Sequence, residues 1–117
     1  MKIILDANFL VDAVRYKVDI FDQLKGNKLY VLDSIIFELE KITERRTKES
    51  TLARIALELI KRKAKIIKTN KKTADPFLIK YSKKGYAIAT HDKVLKNKLK
   101  KIGAKVIYIR QKKYVFI

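Results

Sequence analysis

The 117-residue chain contains no cysteine, no tryptophan and only one histidine. The absence of cysteine excludes disulfide bonds and thiolate-bound zinc, and it makes a reducing, cytoplasmic compartment the expected location. A chain of this length can bury roughly two-thirds of the surface that its unfolded form exposes, so it needs no covalent staples. A single domain over residues 1–117 is therefore expected.

Long apolar runs are also missing from the sequence. No stretch approaches the roughly 20 residues that span a bilayer. The apolar start of the chain is interrupted by Asp6 and Asp12, and no small-residue cleavage site follows it, so a signal peptide is not expected. We therefore expect no membrane partner.

Acidic residues are few compared with basic ones. Lys and Arg number 29 against 12 Asp and Glu, which gives a formal net charge of +17. Self-repulsion on this scale destabilises a compact chain, so a polyanionic partner is expected, and nucleic acid fits best. An anionic membrane surface fits less well, because no basic amphipathic anchor stands apart from the globular pattern. A solubility or thermostability adaptation is the remaining alternative, but such surfaces usually match Lys with Glu.

Short apolar runs alternate with amphipathic ones, which predicts βα units, a parallel sheet and the α/β class. Period-2 and buried runs predict strands over 2–5, 29–32, 65–68, 87–89 and 105–109, with a further edge strand over 114–117. Helical spacing predicts helices over 7–15, 19–24, 34–43, from 51 onwards, from 75 to near 85, and over 92–102. Ser34 is the predicted N-cap of the third helix, and Ile55 and Ile102 are predicted to face the core.

The scarce acids stand at informative positions. Asp6 directly follows the first predicted strand, and Asp92 lies just beyond the strand over 87–89. Asp75 stands at the head of a helix, and Glu38 lies one turn into the helix after the second strand. Ligands of open parallel sheets bind at the carboxyl ends of the strands. These four carboxylates are therefore expected to converge at one edge of the sheet.

Helix capping offers an alternative explanation for three of these acids. Asp6, Asp75 and Asp92 each stand at a helix start, where a carboxylate is favoured with or without a ligand. Glu38 has no such explanation, because its position falls on the apolar face of its helix, where a solvated acid is not expected.

A cluster of four carboxylates is costly without a counter-charge. Two carboxylates about 4 Å apart repel by roughly 4 kcal/mol at an effective dielectric near 20. A hard divalent cation offsets this repulsion, and an all-carboxylate site favours Mg²⁺ or Mn²⁺ over zinc. His91, beside Asp92, is expected to have a surface or substrate-contact role rather than to bind a metal. Such a site can drive phosphodiester hydrolysis, but phosphatases and phosphate-receiving domains also place carboxylates at strand ends.

Basic and aromatic side chains are candidates for nucleic-acid contacts. Tyrosines that could stack on unpaired bases are Tyr81, Tyr86, Tyr108 and Tyr114, although packing is expected for most of them. The basic candidates form three clusters: Arg45, Arg46 and Lys48; residues 61–72; and Lys93, Lys96 and Lys100 on one helical face, followed by Arg110, Lys112 and Lys113.

The motifs LDANFL, FELE, TADPFLI and ATHDKVL, in this order, resemble the PIN-domain family of ribonucleases across essentially the whole chain. The resemblance implies a Rossmann-like parallel sheet flanked by helices, Mg²⁺- or Mn²⁺-dependent endonucleolytic cleavage of RNA, and a homodimer. It assigns catalytic and metal-binding roles to Asp6, Glu38, Asp75 and Asp92, with Asn8 and Thr90 as polar auxiliary residues.

The biological role has three alternatives. The ending KVIYIRQKKYVFI looks like archaeal stand-alone PIN proteins related to the ribosomal-RNA-processing nuclease of the eukaryotic small-subunit processome, which makes rRNA processing the first. VapC toxins share the fold and the site, so the second is a toxin ribonuclease held in check by an antitoxin protein. The third is a non-catalytic RNA-binding factor of ribosome assembly.

Overall fold

The computed structural model describes residues 1–70 and 73–116. Residues 71, 72 and 117, which belong to the predicted basic cluster over 61–72 and to the predicted last strand, lie outside this description. The elements in chain order are β1 (Lys2–Leu5), α1 (Ala7–Arg15), α2 (Ile20–Gln23), β2 (Lys28–Leu32), α3 (Asp33–Thr43), α4 (Lys48–Lys63), β3 (Lys65–Ile67), α5 (Asp75–Lys83), β4 (Ala87–Ala89), α6 (Lys93–Lys101), β5 (Val106–Arg110) and β6 (Tyr114–Phe116).

The strands form one sheet in the order β3-β2-β1-β4-β5-β6. The first five strands run parallel and β6 pairs antiparallel with β5. Helices α1, α3 and α4 pack against one another, whereas α5 packs against α6, which is the two-layer arrangement that right-handed crossovers produce. The predicted α/β fold with a mostly parallel sheet flanked by helices is confirmed.

The two central strands determine where a site can form. β2 and β3 lie on one side of β1, and β4 and β5 lie on the other, so the order of the strands reverses between β1 and β4. At such a topological switch point a crevice forms at the carboxyl ends of the strands. Leu5 pairs with Ala89, so the residues that follow each of them lie side by side at this edge. Ile3, Ile4 and Leu5 are fully buried, which fixes the register of β1 within the core.

Ser34 is not the N-cap of α3, contrary to the sequence prediction. The helix begins at Asp33, and the cap position is held by Leu32, which makes no side-chain cap hydrogen bond. Ser34 is buried, and its hydroxyl has no hydrogen-bond partner among the described residues. The polar residue that acts at this helix start is Asp33, because its Oδ1 accepts a hydrogen bond from the Ser34 N–H at 2.8 Å.

Two predicted core positions are wrong. Ile55 is 43% exposed and Ile102 is 45% exposed. α4 begins at Lys48, earlier than predicted, and its buried stripe follows Ala53, Ala56 and Ile60, which turns Ile55 outward. Ile102 lies beyond the last residue of α6, where the helical periodicity that points a side chain inward has ended.

Asp33 also fastens the start of α3 to the segment that follows β3. Its Oδ2 accepts hydrogen bonds from the backbone N–H groups of Thr69 and Asn70 at 2.9 and 3.1 Å, and its Oδ1 accepts from the Thr69 hydroxyl at 2.7 Å. Burial raises the pKa of Asp33, but these hydrogen bonds and that from Ser34 outweigh it, and the net pKa is lowered. The ionised carboxylate is therefore stabilising in the folded state.

The Asp33→Ala substitution should lower the free energy of unfolding by roughly 2 kcal/mol at pH 7, because it removes hydrogen bonds to a charged group. Since the folded pKa lies below the unfolded value of about 3.9, the contribution is present at neutral pH and is lost as the pH falls through the folded pKa. Urea unfolding at pH 7 measures the change. The exposed Asp22, whose alanine variant should shift the free energy by less than about 0.5 kcal/mol, is the control, and equal losses in both variants would contradict the assignment.

Candidate active site

Asp6 and Thr90 meet at the switch point of the sheet. The backbone N–H of Asp6 donates to the Ala89 carbonyl at 2.9 Å, which continues the β1–β4 pairing. The Thr90 hydroxyl donates to Asp6 Oδ2 at 2.7 Å, and the Ala7 N–H donates to Asp6 Oδ1 at 2.9 Å. Asp6 is only 7% exposed and Thr90 is fully buried. The carboxylate is therefore held in one orientation.

Burial dominates the electrostatics of Asp6. It raises the pKa of the carboxyl from 3.8 to about 6, although the hydrogen bonds from Thr90 and Ala7 act in the opposite direction. The negative charges of Glu38 and Asp75 raise the pKa further. A buried acid with a raised pKa and acidic neighbours is typical of a functional site.

Glu38 lies on the exposed side of α3, in contrast to the sequence pattern, which puts it on the apolar face. It borders a cleft of about 190 Å³ that Asn8, Asp12 and Ile42 also line. Partial desolvation of its carboxyl raises the pKa of Glu38 first, and the charges of Asp75 and Asp92 raise it further. The exposure leaves this acid accessible to a ligand.

The four predicted acids thus share one electrostatic environment. Asp6 interacts with Glu38 and Asp75, and Glu38 interacts with Asp75 and Asp92. Across residues 1–70 and 73–116, Arg15 pairs with Asp12 and Glu49, and His91 pairs with Asp12. Within this described part of the chain, no Lys or Arg pairs with the four predicted acids.

Helix capping explains these acids only in part. Asp92 caps α6, because its Oδ1 accepts hydrogen bonds from the N–H groups of Val94 and Leu95 at 2.9 and 3.1 Å. Asp75 is the first residue of α5, and the preceding cap position, Ala74, makes no side-chain cap hydrogen bond. Among the described residues, no hydrogen bond gives the Asp75 carboxylate a capping role.

The predicted auxiliary residues connect the acids to one another. The Thr90 hydroxyl that donates to Asp6 also accepts the Asp92 N–H at 3.1 Å. Asn8 Oδ1 accepts the N–H of His91 at 3.0 Å and lies 3.3 Å from the Thr90 hydroxyl. Through these bonds the start of α1 holds the segment that carries Asp92.

His91 and Asp12 form a buried link that the sequence analysis missed. His91 Nε2 accepts the Ile109 N–H at 2.8 Å, so Nδ1 carries the proton that is donated to Asp12 Oδ2 at 2.6 Å. His91 is therefore a partly buried connector between α1 and β5, rather than the surface or substrate-contact residue predicted. No local signal indicates this pairing, because His91 and Asp12 lie 79 residues apart in the sequence.

The chemistry of the donor set fits a hard divalent cation. Within the described residues, no three His, Asp or Glu side chains lie close enough to form a compact metal cluster. Mg²⁺ does not require one, because it keeps several water ligands and is usually bound by one or two carboxylates. Carboxylates that have no cationic partner among the described residues fit such a hydrated ion.

Lys48 begins α4, and the described residues of the predicted cluster over 61–72 lie at the end of α4, on β3 and just beyond it. The remaining predicted basic residues fall into two regions. Arg45 and Arg46 are exposed in the turn between α3 and α4. The others lie on α6 or at the β5–β6 turn, where all are exposed except the partly buried Lys96: Lys93, Lys96, Lys100, Arg110, Lys112 and Lys113. The described part of the chain contains no helix that is both long and apolar enough to cross a membrane.

The Asp6→Asn substitution should stabilise the fold at neutral pH in metal-free buffer. The pKa of Asp6 is about 6 in the folded state and 3.8 in the unfolded state, so ionisation of Asp6 destabilises the fold. This destabilisation grows as the pH rises from 3.8 to 6 and is complete above pH 6. Asparagine preserves the shape and removes the charge, so the gain should be roughly 2–3 kcal/mol at pH 7.5 and much smaller at pH 4. Urea unfolding at the two pH values, with EDTA present, measures it; a gain independent of pH would contradict the electrostatic cause.

Comparison with known proteins identifies the family of this chain. A family model described as a PIN-like domain matches residues 3–112. Ribonuclease VapC9 of Archaeoglobus fulgidus is 34% identical over 97% of this chain and 87% of its own length. Ribonuclease VapC4 of Methanocaldococcus jannaschii is 31% identical over 97% of this chain and 93% of its own length.

The fold is also similar to a solved structure, that of the PIN domain endonuclease Utp24. The two superpose with a TM-score of 0.80 and 28% sequence identity, over 97% of this chain and 90% of the other. The match of sequence and of fold extends over nearly the whole chain. This chain belongs to the PIN-like domain family.

Proposed function

We propose that this protein is an endoribonuclease that hydrolyses RNA phosphodiester bonds with Mg²⁺ or Mn²⁺ held by Asp6, Glu38, Asp75 and Asp92. The observation that carries the proposal is that acids from separate segments act on one another: besides burial, the charges of Glu38 and Asp75 raise the pKa of Asp6, and those of Asp75 and Asp92 raise the pKa of Glu38. None of the four has a cationic partner among the described residues. The chain has a net charge of +17, which favours a polyanionic substrate. The curated relatives, both named ribonucleases, support the same activity.

The protein's own residues would hold and orient the reacting groups. Each oxygen of Asp6 already accepts one hydrogen bond, yet a carboxylate has about four lone-pair sites, so acceptor capacity remains for a ligand. Thr90 fixes the direction of these lone pairs. Asp92 uses Oδ1 for capping, which leaves Oδ2 for the ligand. A bound divalent cation would supply an activated water molecule and stabilise charge on the phosphodiester.

For the biological role we propose processing of ribosomal precursor RNA in the cytoplasm. The proposal rests on the chain ending described above, and the likeness to the PIN domain endonuclease Utp24 is compatible with it. The names of the curated relatives favour a second candidate, a VapC-type toxin with an antitoxin partner. A short reading frame that overlaps this one and encodes an antitoxin would favour the toxin. A homodimer is proposed from the family resemblance alone.

RNA cleavage by the purified protein should require Mg²⁺ or Mn²⁺ and should fall at least about 100-fold in Asp6→Asn and in Asp92→Asn, because each substitution removes a ligand charge. The matched control is Glu58→Gln, which removes one exposed acid from α4 and should keep the wild-type rate. Sequencing of the RNA ends made by wild type and by Asp6→Asn with Mn²⁺ identifies the cleaved bonds and separates them from contaminating activity.

Two outcomes would contradict the proposal. Cleavage that persists in EDTA, or in both variants, would remove the carboxylate site from the reaction. Tight, salt-dependent RNA binding with no metal-dependent cleavage would instead identify a non-catalytic RNA-binding factor.

Thr90→Val should reduce the cleavage rate about 10- to 100-fold with little change in fold, because valine keeps the shape but removes the bonds to Asp6 and Asp92. Without its hydrogen-bond donor, Asp6 should also need a higher pH for half-maximal activity. The conservative variant Thr90→Ser retains the hydroxyl and should recover most of the rate. Equal losses in the two variants, or an unchanged pH profile in Thr90→Val, would show that the hydroxyl does not position Asp6.

A further inference from the structure

The β5–β6 hairpin carries aromatic and cationic side chains on a single face. The antiparallel register pairs Tyr108 with Phe116 and Arg110 with Tyr114. Side chains alternate along a strand and directly opposed residues share a face, so all four project from the same side of the hairpin. We call Tyr108, Arg110, Tyr114 and Phe116 the hairpin face.

The aromatic rings and cations of this face are in contact. The rings of Tyr108 and Phe116 lie 5.4 Å apart at an angle of 49°. The Arg110 guanidinium lies 5.0 Å from the centre of the Phe116 ring, and Lys96 Nζ, which comes from α6, lies 4.2 Å from the centre of the Tyr108 ring. Such cation–π contacts hold the cations beside the rings without neutralising them.

The outer part of the hairpin face is open to solvent. Tyr114 is 57% exposed and Phe116 is 42% exposed. By contrast, Tyr30, Tyr81 and Tyr86 are partly buried and pack edge-to-face against one another. Two neighbouring exposed aromatic residues on an edge strand, flanked by cations, are typical of surfaces on which unpaired bases stack.

The helix that supplies Lys96 to the hairpin face carries only positive charge. Helix α6, with the sequence KVLKNKLKK, contains no acidic residue. Desolvation lowers the pKa of Lys96, and the positive charges of Lys100 and Lys93 lower it further. These ammonium groups repel one another, and a polyanion along the helix would relieve the repulsion.

The hairpin face is also connected to the candidate active site. Ile109, between Tyr108 and Arg110, donates its N–H to the ring of His91, which is the neighbour of Asp92. The Gln23 side chain fastens the hairpin from the other side, accepting the Val115 N–H at 2.7 Å and donating to the Lys113 carbonyl at 3.0 Å. The hairpin is therefore fixed to α2 and to the segment that carries Asp92.

We propose that the hairpin face, together with Lys96, binds an unpaired segment of the RNA substrate, with bases stacked on Tyr114 and Phe116 and phosphates near Lys96 and Arg110. This inference rests on the proposed function and names a surface, separate from the four acids, that would hold an unpaired part of the RNA. Bases inside an RNA duplex are stacked on one another and do not offer their faces to aromatic side chains. The surface therefore favours unpaired RNA over duplex.

The test measures binding separately from cleavage. In the full-length Asp6→Asn protein, fluorescence anisotropy gives the Kd for a labelled 12-nucleotide oligoadenylate and for a 12-base-pair RNA duplex, both with EDTA present. Adding Tyr114→Ala or Phe116→Ala should weaken binding of the single strand about 5- to 30-fold, because one base loses its stacking partner. Binding of the duplex should change less than about two-fold. Phe116→Tyr keeps a ring and should bind nearly as the parent does.

Matched controls separate stacking from general effects. Ile66→Ala removes an equally exposed apolar side chain from β3, at the opposite edge of the sheet, and should leave both Kd values unchanged. Lys96→Gln should weaken binding of the single strand. It should also lower the slope of log Kd against log salt concentration by about the amount that one phosphate contact contributes. Thermal melting verifies that each variant is folded.

Three results would overturn the inference. The first is unchanged affinity for the single strand in both alanine variants, and the second is an equal loss of affinity for single strand and duplex. The third is tighter binding of polyglutamate than of RNA, which would indicate an acidic protein as the occupant. Because the assay uses an inactive variant, each of these results leaves wild-type cleavage untouched. Failure of the proposed nuclease activity, in turn, would leave the binding comparison valid.

Discussion

The hydrogen bond between the Thr90 hydroxyl and the Asp6 carboxylate joins the carboxyl ends of the two central strands, and the site is organised around it. β1 and β4 are buried on both faces, so the residue after each strand has almost no freedom in where it lies. Asp6 is thereby held in a buried position where ionisation is unfavourable, and its pKa is raised to about 6. The fold tolerates this destabilisation at the one place where a bound cation would remove it, a common relation between stability and function.

The charge distribution gives the centre and its surroundings opposite roles. Asp6 lies at the switch point, the charges of Glu38 and Asp75 act on it, and none of these acids has a cationic partner among the described residues, while α6 and the β5–β6 turn are strongly basic. An RNA strand would be attracted from a distance by the surrounding Lys and Arg, and the carboxylates would repel it unless a divalent cation were bound. In this account the basic surface and the acidic centre act together, and neither is sufficient alone.

Much of the fold could be predicted because its signals are local. Asp6 and Asp92 follow buried apolar runs directly, so strand ends alone indicated where they lie. Contacts between distant segments were not predictable in this way: the bond from His91 to Asp12 and the tether from Asp33 to Thr69 join residues far apart in sequence. The exposure of Glu38 and Ile55 was not predicted. Helical periodicity shows which residues share a face of a helix, but the packing of α3 against α4 determines which face is buried. The stacking surface depends on the hairpin register, which periodicity does not give.

Calorimetric titration of Mn²⁺ into the wild-type protein, in two buffers of different ionisation enthalpy, tests the central claim most directly. If the acids converge to bind a divalent cation, binding is saturable and releases roughly half a proton or more at pH 6, because Asp6 with a pKa of about 6 must give up its proton. The release falls towards zero at pH 8, and Asp6→Asn weakens binding and abolishes the difference between the two pH values. Absence of saturable binding, or binding without proton release at either pH, would contradict the account.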